Sequence, residues 1–215
     1  MPLAALTAMA RVTFVIAACG ALLTGCAHPP PPPPPSISLA GKTCDATPGI
    51  TAGQRTDLVM EKAAEVTFDN DSGCLDIGAN KVAYKVFGLP PSVEPYLVSV
   101  DSRPLGQGLF APLLQLLDVN GKVVREISRD AFSFHGTNIH AGFRTHAGET
   151  YLVVASDPQS VGQQISKVMD TTSVTTAAAG PVFISVHTGA ESVPTFTYAL
   201  NGTVTVVARP VPKAK

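Results

Sequence analysis

A run of seven consecutive prolines, residues 29–35, sets where folded structure can begin in this chain. Proline has a fixed φ and no backbone N–H, so this run cannot form the interior of a helix or a central strand. We expect an extended polyproline II rod, which at ~3.1 Å per residue reaches about 22 Å. We interpret the rod as a spacer, and the alternative is a ligand for an SH3-like or WW-like partner.

The segment before the prolines has the features of an export signal. Arg11 precedes an apolar run, residues 12–23, which is typical of a secretory leader and short for a membrane span. The run ends in Leu23, Thr24, Gly25 and Cys26, which resemble the bacterial lipobox, the cleavage site of the lipoprotein signal peptidase. The resemblance implies a diacylglyceryl thioether on Cys26, and the alternative is an ordinary secretory leader with an accidental cysteine.

A lipid on Cys26 would make a membrane the first predicted partner. Each buried methylene contributes about 0.8 kcal/mol, so two or three acyl chains hold a protein stably. In the same resemblance, Ala27 rather than aspartate after the cysteine favours the outer membrane. We predict an outer membrane lipoprotein that faces the periplasm, with three parts: a signal peptide at 1–25, a lipidated cysteine and polyproline linker at 26–43, and a β-sandwich domain at 44–215.

Composition points to strands and away from nucleic acid. The chain has 15 basic and 16 acidic residues, so it carries no excess of positive charge. We therefore expect no nucleic-acid partner, since binding to phosphate backbones is favoured by such an excess. Charged residues make up 14% of the chain, tryptophan is absent, and Val, Thr, Ser, Gly and Ala are abundant after residue 80. This composition is typical of half-buried strands.

Short alternating apolar runs arrive at regular intervals along the chain. In residues 81–87, Val82, Tyr84 and Val86 share one face, and the dipeptide Asn120-Gly121 favours a hairpin with positive φ at both turn positions. The pattern predicts strands at residues 65–68, 81–87, 95–101, 141–145, 150–156, 180–188 and 196–208, besides the hairpin. Seven to nine such strands indicate an all-β fold, an antiparallel two-sheet sandwich of jelly-roll type.

One short helix is expected to pack on the sandwich. Asp157 has the chemistry of an N-cap, and Pro158 would occupy the first helical position. Apolar residues then follow at helical spacing, at Val161, Ile165, Val168 and Met169.

Cys44 and Cys74 are the remaining cysteine pair of an exported chain, since Cys19 lies in the leader. They predict a disulfide that closes a loop of about thirty residues and stabilises the fold by about 3 to 4 kcal/mol. The sequence has no CxxC motif, which argues against a redox or zinc site at these cysteines.

Three histidines offer the nearest approach to a metal site. His135, His140 and His146 lie within twelve residues, but the sequence places no suitable carboxylate beside them. We predict solvated histidines, with a metal site as the alternative.

Asp69-Asn70-Asp71 resembles the start of a calcium loop, but the later ligands are missing, so a polar turn is expected. No nucleophile elbow, P-loop or dinucleotide motif occurs in the sequence, so we predict no enzyme and no cofactor.

Aromatic side chains are candidates for stacking on sugar rings. Tyr84, Tyr96, Tyr151 and Tyr198 are the tyrosines of the chain, and each lies in a predicted strand. They could be exposed for a glycan, or packed in the core or on a sheet face, which we favour. The absence of tryptophan weakens the case for a high-affinity lectin.

The stretch from residue 82 to 169 resembles the maltose operon periplasmic protein family. The similarity is carried by Val82-Ala83-Tyr84, Phe110-Ala111-Pro112, Leu116-Leu117-Asp118, Phe132 and Phe134, Tyr151-Leu152-Val153-Val154, and Gln163-Gln164. The resemblance implies a bacterial periplasmic β-protein associated with maltodextrin uptake, without an assigned reaction or functional residue set.

The predicted function is therefore that of a non-enzymatic, lipid-anchored envelope protein, accessory to carbohydrate transport through binding of a glycan or an outer-membrane transport component. The alternative is a structural or adhesive module of the envelope without a small ligand.

Overall fold

The computed structural model describes residues 37–166, 169–170, 173–179, 182–188 and 191–212. Strands dominate these residues, and their single helical element is one turn of 3-10 helix at Arg129–Ala131. The predicted all-β class is confirmed. Cys26 and the prolines at 29–35 lie outside the described residues, so lipidation and the rod stay predictions. In the described ranges, no helix is long and apolar enough to cross a bilayer.

The first sheet has six strands in the order β1-β4-β11-β7-β8, with β3 also paired to β4. Only the β1–β4 pair is parallel. The strands are β1 (Arg55–Asp57), β3 (Gly73–Ile77), β4 (Asn80–Gly88), β7 (Pro112–Leu117), β8 (Val123–Ile127) and β11 (Tyr151–Ser156).

The second sheet has five antiparallel strands in the order β2-β18-β5-β10-β9. Side chains alternate between the two faces of a strand. Those on the outward face of this sheet are mostly polar, such as Glu65, Asp101 and Arg103. The strands are β2 (Ala63–Phe68), β5 (Tyr96–Arg103), β9 (Phe132–His135), β10 (Asn138–Arg144) and β18 (Gly202–Pro210).

A continuous core joins the two sheets. Leu114, Leu152 and Val154 from the first sheet belong to one buried cluster with residues such as Val100 and Val206 from the second. At one end of this core Phe68 stacks on Phe110, with ring centroids 4.0 Å apart. The prediction of an antiparallel two-sheet sandwich is confirmed, and its jelly-roll type stays a prediction.

The central strands of the first sheet are buried on both faces. Val82, Tyr84, Val86 and Val153 form a second apolar cluster on the side away from the sandwich core. Ile50, in the segment before β1, packs against this cluster. The predicted shared face of the three β4 residues is therefore confirmed.

A third sheet and a long hairpin extend from the sandwich. The third sheet has the order β12-β17-β6, and β13 with β16 and β14 with β15 form two further ladders. The three antiparallel pairs β12–β17, β13–β16 and β14–β15 follow the same register. Gln164 is paired with Thr197, Met169 with Ser192, and Ala179 with Val182. The strands are β6 (Gly108–Phe110), β12 (Gln164–Ser166), β13 (Met169–Asp170), β14 (Ser173–Ala179), β15 (Val182–Thr188), β16 (Glu191–Ser192) and β17 (Thr195–Ala199).

The Asn120-Gly121 turn joins β7 and β8, as the dipeptide predicted. Only Gly121 has a positive φ, of 81°, so the expectation for both turn positions is wrong. The Asp118 carboxylate explains the difference, because it accepts hydrogen bonds from the backbone N–H groups of Asn120 and Lys122, both at 2.9 Å. These hydrogen bonds fix a loop that is longer than the two-residue hairpin turn predicted from the Asn-Gly dipeptide.

The predicted helix after Asp157 is wrong. The cap chemistry is present, because the Asp157 carboxylate accepts from the Gln159 N–H at 3.0 Å and from the Ser160 hydroxyl at 2.6 Å. The turn ends at Gly162, which has a φ of 86°, and Gln164–Ser166 then pairs with β17. Strand pairing therefore replaces the helix that the apolar spacing predicted. Of the predicted stripe, Val168 lies outside the described residues.

The N-terminal part of the described chain is anchored by a disulfide and by apolar burial. Cys44 and Cys74 form the predicted disulfide, with Cα atoms 4.7 Å apart. Ile37 and Leu39 belong to the main core cluster, although they precede the domain boundary that we predicted at residue 44. The polar turn expected near Cys74 is also present, since Asp69 Oδ1 accepts from the Asp71 N–H at 3.1 Å.

Candidate functional site

An aromatic cleft lies at the β9 edge of the second sheet, over a small apolar cluster of Leu109, Ile139 and Phe196. Its volume is about 210 Å³. The sandwich and the third sheet both contribute to it, because β7, β9, β10, β17, the 3-10 turn and the segment after β11 meet there. We define the aromatic cleft by the residues Arg129, Phe132, Ser133, Phe134, Asp157 and Tyr198.

The aromatic rings of the cleft come from two strands. Phe132 and Phe134 are two residues apart on β9, so they lie on the same face of the strand, and both are half-buried. Tyr198 on β17 is also half-buried. All three pack against the small apolar cluster beneath the cleft. The cleft therefore presents aromatic surface that is supported from below and partly open to solvent.

An ion pair forms the polar wall of the cleft. The Arg129 Nη2 donates to Asp157 Oδ1 at 2.6 Å, while the Asp157 side chain is only 6% exposed and that of Arg129 is 56% exposed. The backbone N–H of Asp157 also donates to the Ala111 carbonyl at 2.8 Å. Because a guanidinium carries five N–H donors, most of the Arg129 donors stay available to a ligand.

Burial in the cleft raises the pKa of the Tyr198 hydroxyl above its usual value of 10.0, and the negative charge of Asp157 raises it further. Tyr198 is therefore a neutral phenol at physiological pH, able both to donate and to accept a hydrogen bond.

The chemistry of the cleft suits a neutral, amphipathic ligand. Aromatic faces bind apolar C–H surfaces, and a few fixed polar groups orient the ligand through its hydroxyl groups. The charges of Arg129 and Asp157 compensate each other at 2.6 Å, so the pair supplies hydrogen bonds without a net charge. The volume of about 210 Å³ is below the ~300–1,000 Å³ of drug-sized sites, and suits one ring or the end of a chain.

The structure separates the four tyrosines that the sequence proposed for stacking. Tyr84 and Tyr96 are each 5% exposed, and their hydroxyls donate to Asp45 Oδ2 at 3.1 Å and to the Pro90 carbonyl at 2.9 Å. Tyr151 is half-buried, with the Arg55 guanidinium 5.3 Å from its ring centroid. Packing is thus confirmed for Tyr84 and Tyr96, and Tyr198 alone of the four lies in the aromatic cleft.

The histidines occupy two places. The His135 and His140 rings stack with centroids 4.4 Å apart and an interplanar angle of 13°, and His140 Nδ1 lies 2.8 Å from Asp101 Oδ1. His146 lies instead beside Glu149, with Nδ1 and Oε1 3.9 Å apart. The expectation that no carboxylate is near the histidines is therefore wrong, because β5 places Asp101 directly opposite His140.

This arrangement does not gather metal ligands. Nearly parallel stacked rings direct their lone pairs side by side, so His135 and His140 do not converge on one ion in this geometry. Among the residues that the structure describes, no group of three or more His, Cys, Asp or Glu side chains is placed to hold a metal.

Sequence reasoning did not assign Arg129 or Asp157 to a site. The local sequence marks Asp157 as a helix cap, and Phe132 and Phe134 stand out only through the family resemblance. The signal was the Phe-x-Phe spacing at an edge strand, which places two rings on one face. The ion pair that completes the cleft joins residues 28 apart in sequence, so no local pattern indicates it.

Comparisons of the chain with models of known families, with curated protein sequences and with solved structures found no match.

Proposed function

We propose that this protein is a non-enzymatic, lipid-anchored protein of the outer membrane, facing the periplasm, that binds a neutral glycan in the aromatic cleft. The observation that carries the proposal is the combination of Phe132, Phe134 and Tyr198 with the Arg129–Asp157 pair in one cleft. Pyranose rings have apolar faces and hydroxyl edges, and the cleft offers a partner for each.

Two sequence features and one structural feature support the envelope location. The lipobox resemblance at Cys26 and the proline run at 29–35 suit a tethered domain held away from the lipid surface. The Cys44–Cys74 disulfide suits an oxidising compartment outside the cytosol. The likeness to the maltose operon periplasmic family favours maltodextrin as the glycan, with a role accessory to its uptake.

Calorimetry with maltodextrins of increasing length tests the glycan proposal. We expect binding that Tyr198→Ala weakens at least tenfold, because the variant removes a ring that lines the cleft. Tyr151→Ala is the matched control, since Tyr151 lies outside the cleft, and it should bind as the parent does. The absence of binding to maltodextrins and to peptidoglycan fragments would contradict the proposal.

Cell fractionation with mass spectrometry tests the anchor independently. The native protein should begin at an acylated Cys26 and sediment with outer membranes, and Cys26→Ser should release it. An unmodified Cys26, or a chain that begins at another residue, would refute the anchor while leaving the glycan proposal standing.

A structural or adhesive role without a small ligand is the second candidate. It is favoured by exposed valines around the β7–β8 hairpin, where Val119 is 65%, Val123 44% and Val124 50% exposed. Exposed apolar side chains on an edge strand favour contact with another protein surface. Loss of adhesion or assembly in Val123→Lys, with glycan binding absent in the parent, would favour this candidate.

A further inference from the structure

A second, separate hollow lies on the outward face of the second sheet. It has a volume of about 210 Å³ and is lined mainly by Leu97, Ser99, His140, Gly142, Val207 and Arg209. These residues come from three adjacent strands, β18, β5 and β10, in which Ser99 is paired with both Gly142 and Val207.

Gly142 forms the open floor of the hollow. A Cβ built on Gly142 would meet only His140 Nε2, at 3.5 Å, so the glycine leaves free space in the middle of a sheet face. Glycine weakens a strand because it packs no side chain, and such a position often marks close approach of a ligand or another backbone. The same position places His140 Nε2 at the edge of that space.

The orientation of His140 is fixed by Asp101. A carboxylate only accepts hydrogen bonds, so the 2.8 Å contact assigns the hydrogen to Nδ1 of neutral His140. In this neutral form Nε2 keeps its lone pair and lines the hollow as an acceptor. Stacking against His135 holds the ring from the other side. Ser99 is half-exposed and forms no hydrogen bond through its side chain in the described part of the chain, so its hydroxyl is available beside Nε2.

Arg209 supplies a positive charge at the other end. It is exposed and forms no ion pair among the described residues. Two carboxylates of this face contact other groups, because Asp101 is hydrogen-bonded to His140 and Glu65 to Arg103. Leu97 is 38% exposed beside Arg209 in the sheet, and Val207, although it faces outward, is 6% exposed. The hollow therefore joins a guanidinium that forms no ion pair among the described residues to an apolar surface.

The spacing of these groups defines the ligand. Arg209 is paired with Leu97, and Ser99 is paired with Gly142, so the cation and the open floor lie one side-chain row apart along β5. Rows on one face are separated by two residues, or roughly 7 Å. A ligand must then present an anion and a hydrogen-bond donor about two residues of extended chain apart, with a small apolar group between.

We propose that this hollow binds the carboxyl-terminal end of a short peptide. The terminal carboxylate pairs with Arg209, a peptide N–H donates to His140 Nε2, and a small apolar side chain packs on Leu97 and Val207. Arginine suits a carboxylate because its planar fork donates two parallel hydrogen bonds. This site is independent of the aromatic cleft and does not rest on the glycan proposal.

Calorimetry of the full-length protein in detergent with N-acetyl-alanyl-alanine tests the proposal. We expect saturable binding, at least tenfold weaker binding of the same peptide with a C-terminal amide, and at least tenfold weaker binding of the acid by Arg209→Gln. Gly142→Val should abolish binding by filling the floor, with folding checked by circular dichroism. If Gly142→Val does not fold, Arg209→Gln decides.

Arg103→Gln is the matched control. Arg103 lies on the same outward face of β5, opposite Thr203 of β18, but its guanidinium is already bonded to Glu65. It should bind the peptide acid as the parent does. No binding of the acid, equal binding of acid and amide, or equal loss in Arg103→Gln and Arg209→Gln would overturn the proposal.

Discussion

Asp157 is held against Arg129 at 2.6 Å, and this contact joins the end of β11 to the 3-10 turn before β9. The two residues meet where the aromatic cleft opens, so the same pair shapes the cleft and fixes two connections of the sandwich. The Asp157 carboxylate is almost fully buried and accepts three hydrogen bonds, from Arg129, Gln159 and Ser160.

Asp157→Ala should therefore destabilise the protein by about 2 to 4 kcal/mol, because it removes those bonds and leaves their donors without a buried acceptor. Arg129→Gln should cost less, about 1 kcal/mol, because its side chain is more than half exposed and Asp157 keeps two donors. Urea denaturation measures both free energies of unfolding. A larger loss in Arg129→Gln than in Asp157→Ala would contradict this description of the pair.

Opening the Cys44–Cys74 disulfide should lower the free energy of unfolding by about 3 to 4 kcal/mol, as expected for a closed loop of about thirty residues. The double variant Cys44→Ser with Cys74→Ser gives the same comparison without a reductant. Equal denaturation midpoints with and without a reductant would mean that the bridge does not constrain the unfolded chain.

Gly202→Ala should destabilise the sandwich at the Phe68–Phe110 stack. A Cβ at residue 202 would lie 2.6 Å from Phe110 Cβ, which is a clash with an atom that cannot rotate away. Overpacking of this kind costs about 1 to 3 kcal/mol. Gly53→Ala is the control, since a Cβ there meets nothing within 4 Å. Thermal unfolding should show a lower Tm for Gly202→Ala alone, and equal Tm values would refute the close packing.

Alkaline pH should destabilise the fold through its buried tyrosines. Burial, and then the charge of Glu149, raise the pKa of Tyr96 to about 12 from the usual 10.0. The unfolded chain loses this proton first, so the stabilisation is complete below about pH 10 and is lost as the pH rises towards 12. At about 1.4 kcal/mol per pKa unit, the rise from 10.0 to about 12 corresponds to roughly 3 kcal/mol of stability from Tyr96.

Absorbance of tyrosinate follows this titration. Burial also raises the pKa values of Tyr84 and Tyr198, so we expect most tyrosine ionisation above pH 10, with Tyr96→Phe removing the latest step. Ionisation of all four tyrosines together near pH 10 in the folded protein would contradict the burial of these hydroxyls.

Sequence alone predicted the parts of the fold that depend on local pattern. The alternation in β4, the Asn120-Gly121 hairpin and the Cys44–Cys74 bridge follow from side-chain period, turn chemistry and cysteine pairing, and all three are present. The prediction of a helix after Asp157 was wrong because a cap and an apolar spacing are only local signals. Gly162 and pairing with β17 decide the outcome, and the β17 partner lies about thirty residues away.

The candidate sites were less predictable because their groups meet across strands. Asp101 and His140 are 39 residues apart in sequence and become neighbours only through the register of β5 with β10. Tyr198 was a candidate, but nothing local distinguished it from Tyr84 or Tyr96, which are buried. Knowledge of strand order is needed before either site can be assembled.

The most direct test of the central claim is to locate maltotriose on the protein, by amide chemical-shift perturbation in ¹⁵N-labelled samples. We predict that titration shifts the amides of Phe132, Phe134 and Tyr198 in a saturable manner, and that Phe134→Ala weakens the response. Saturable shifts confined to another surface, or no shifts at millimolar maltotriose, would contradict glycan binding in the aromatic cleft.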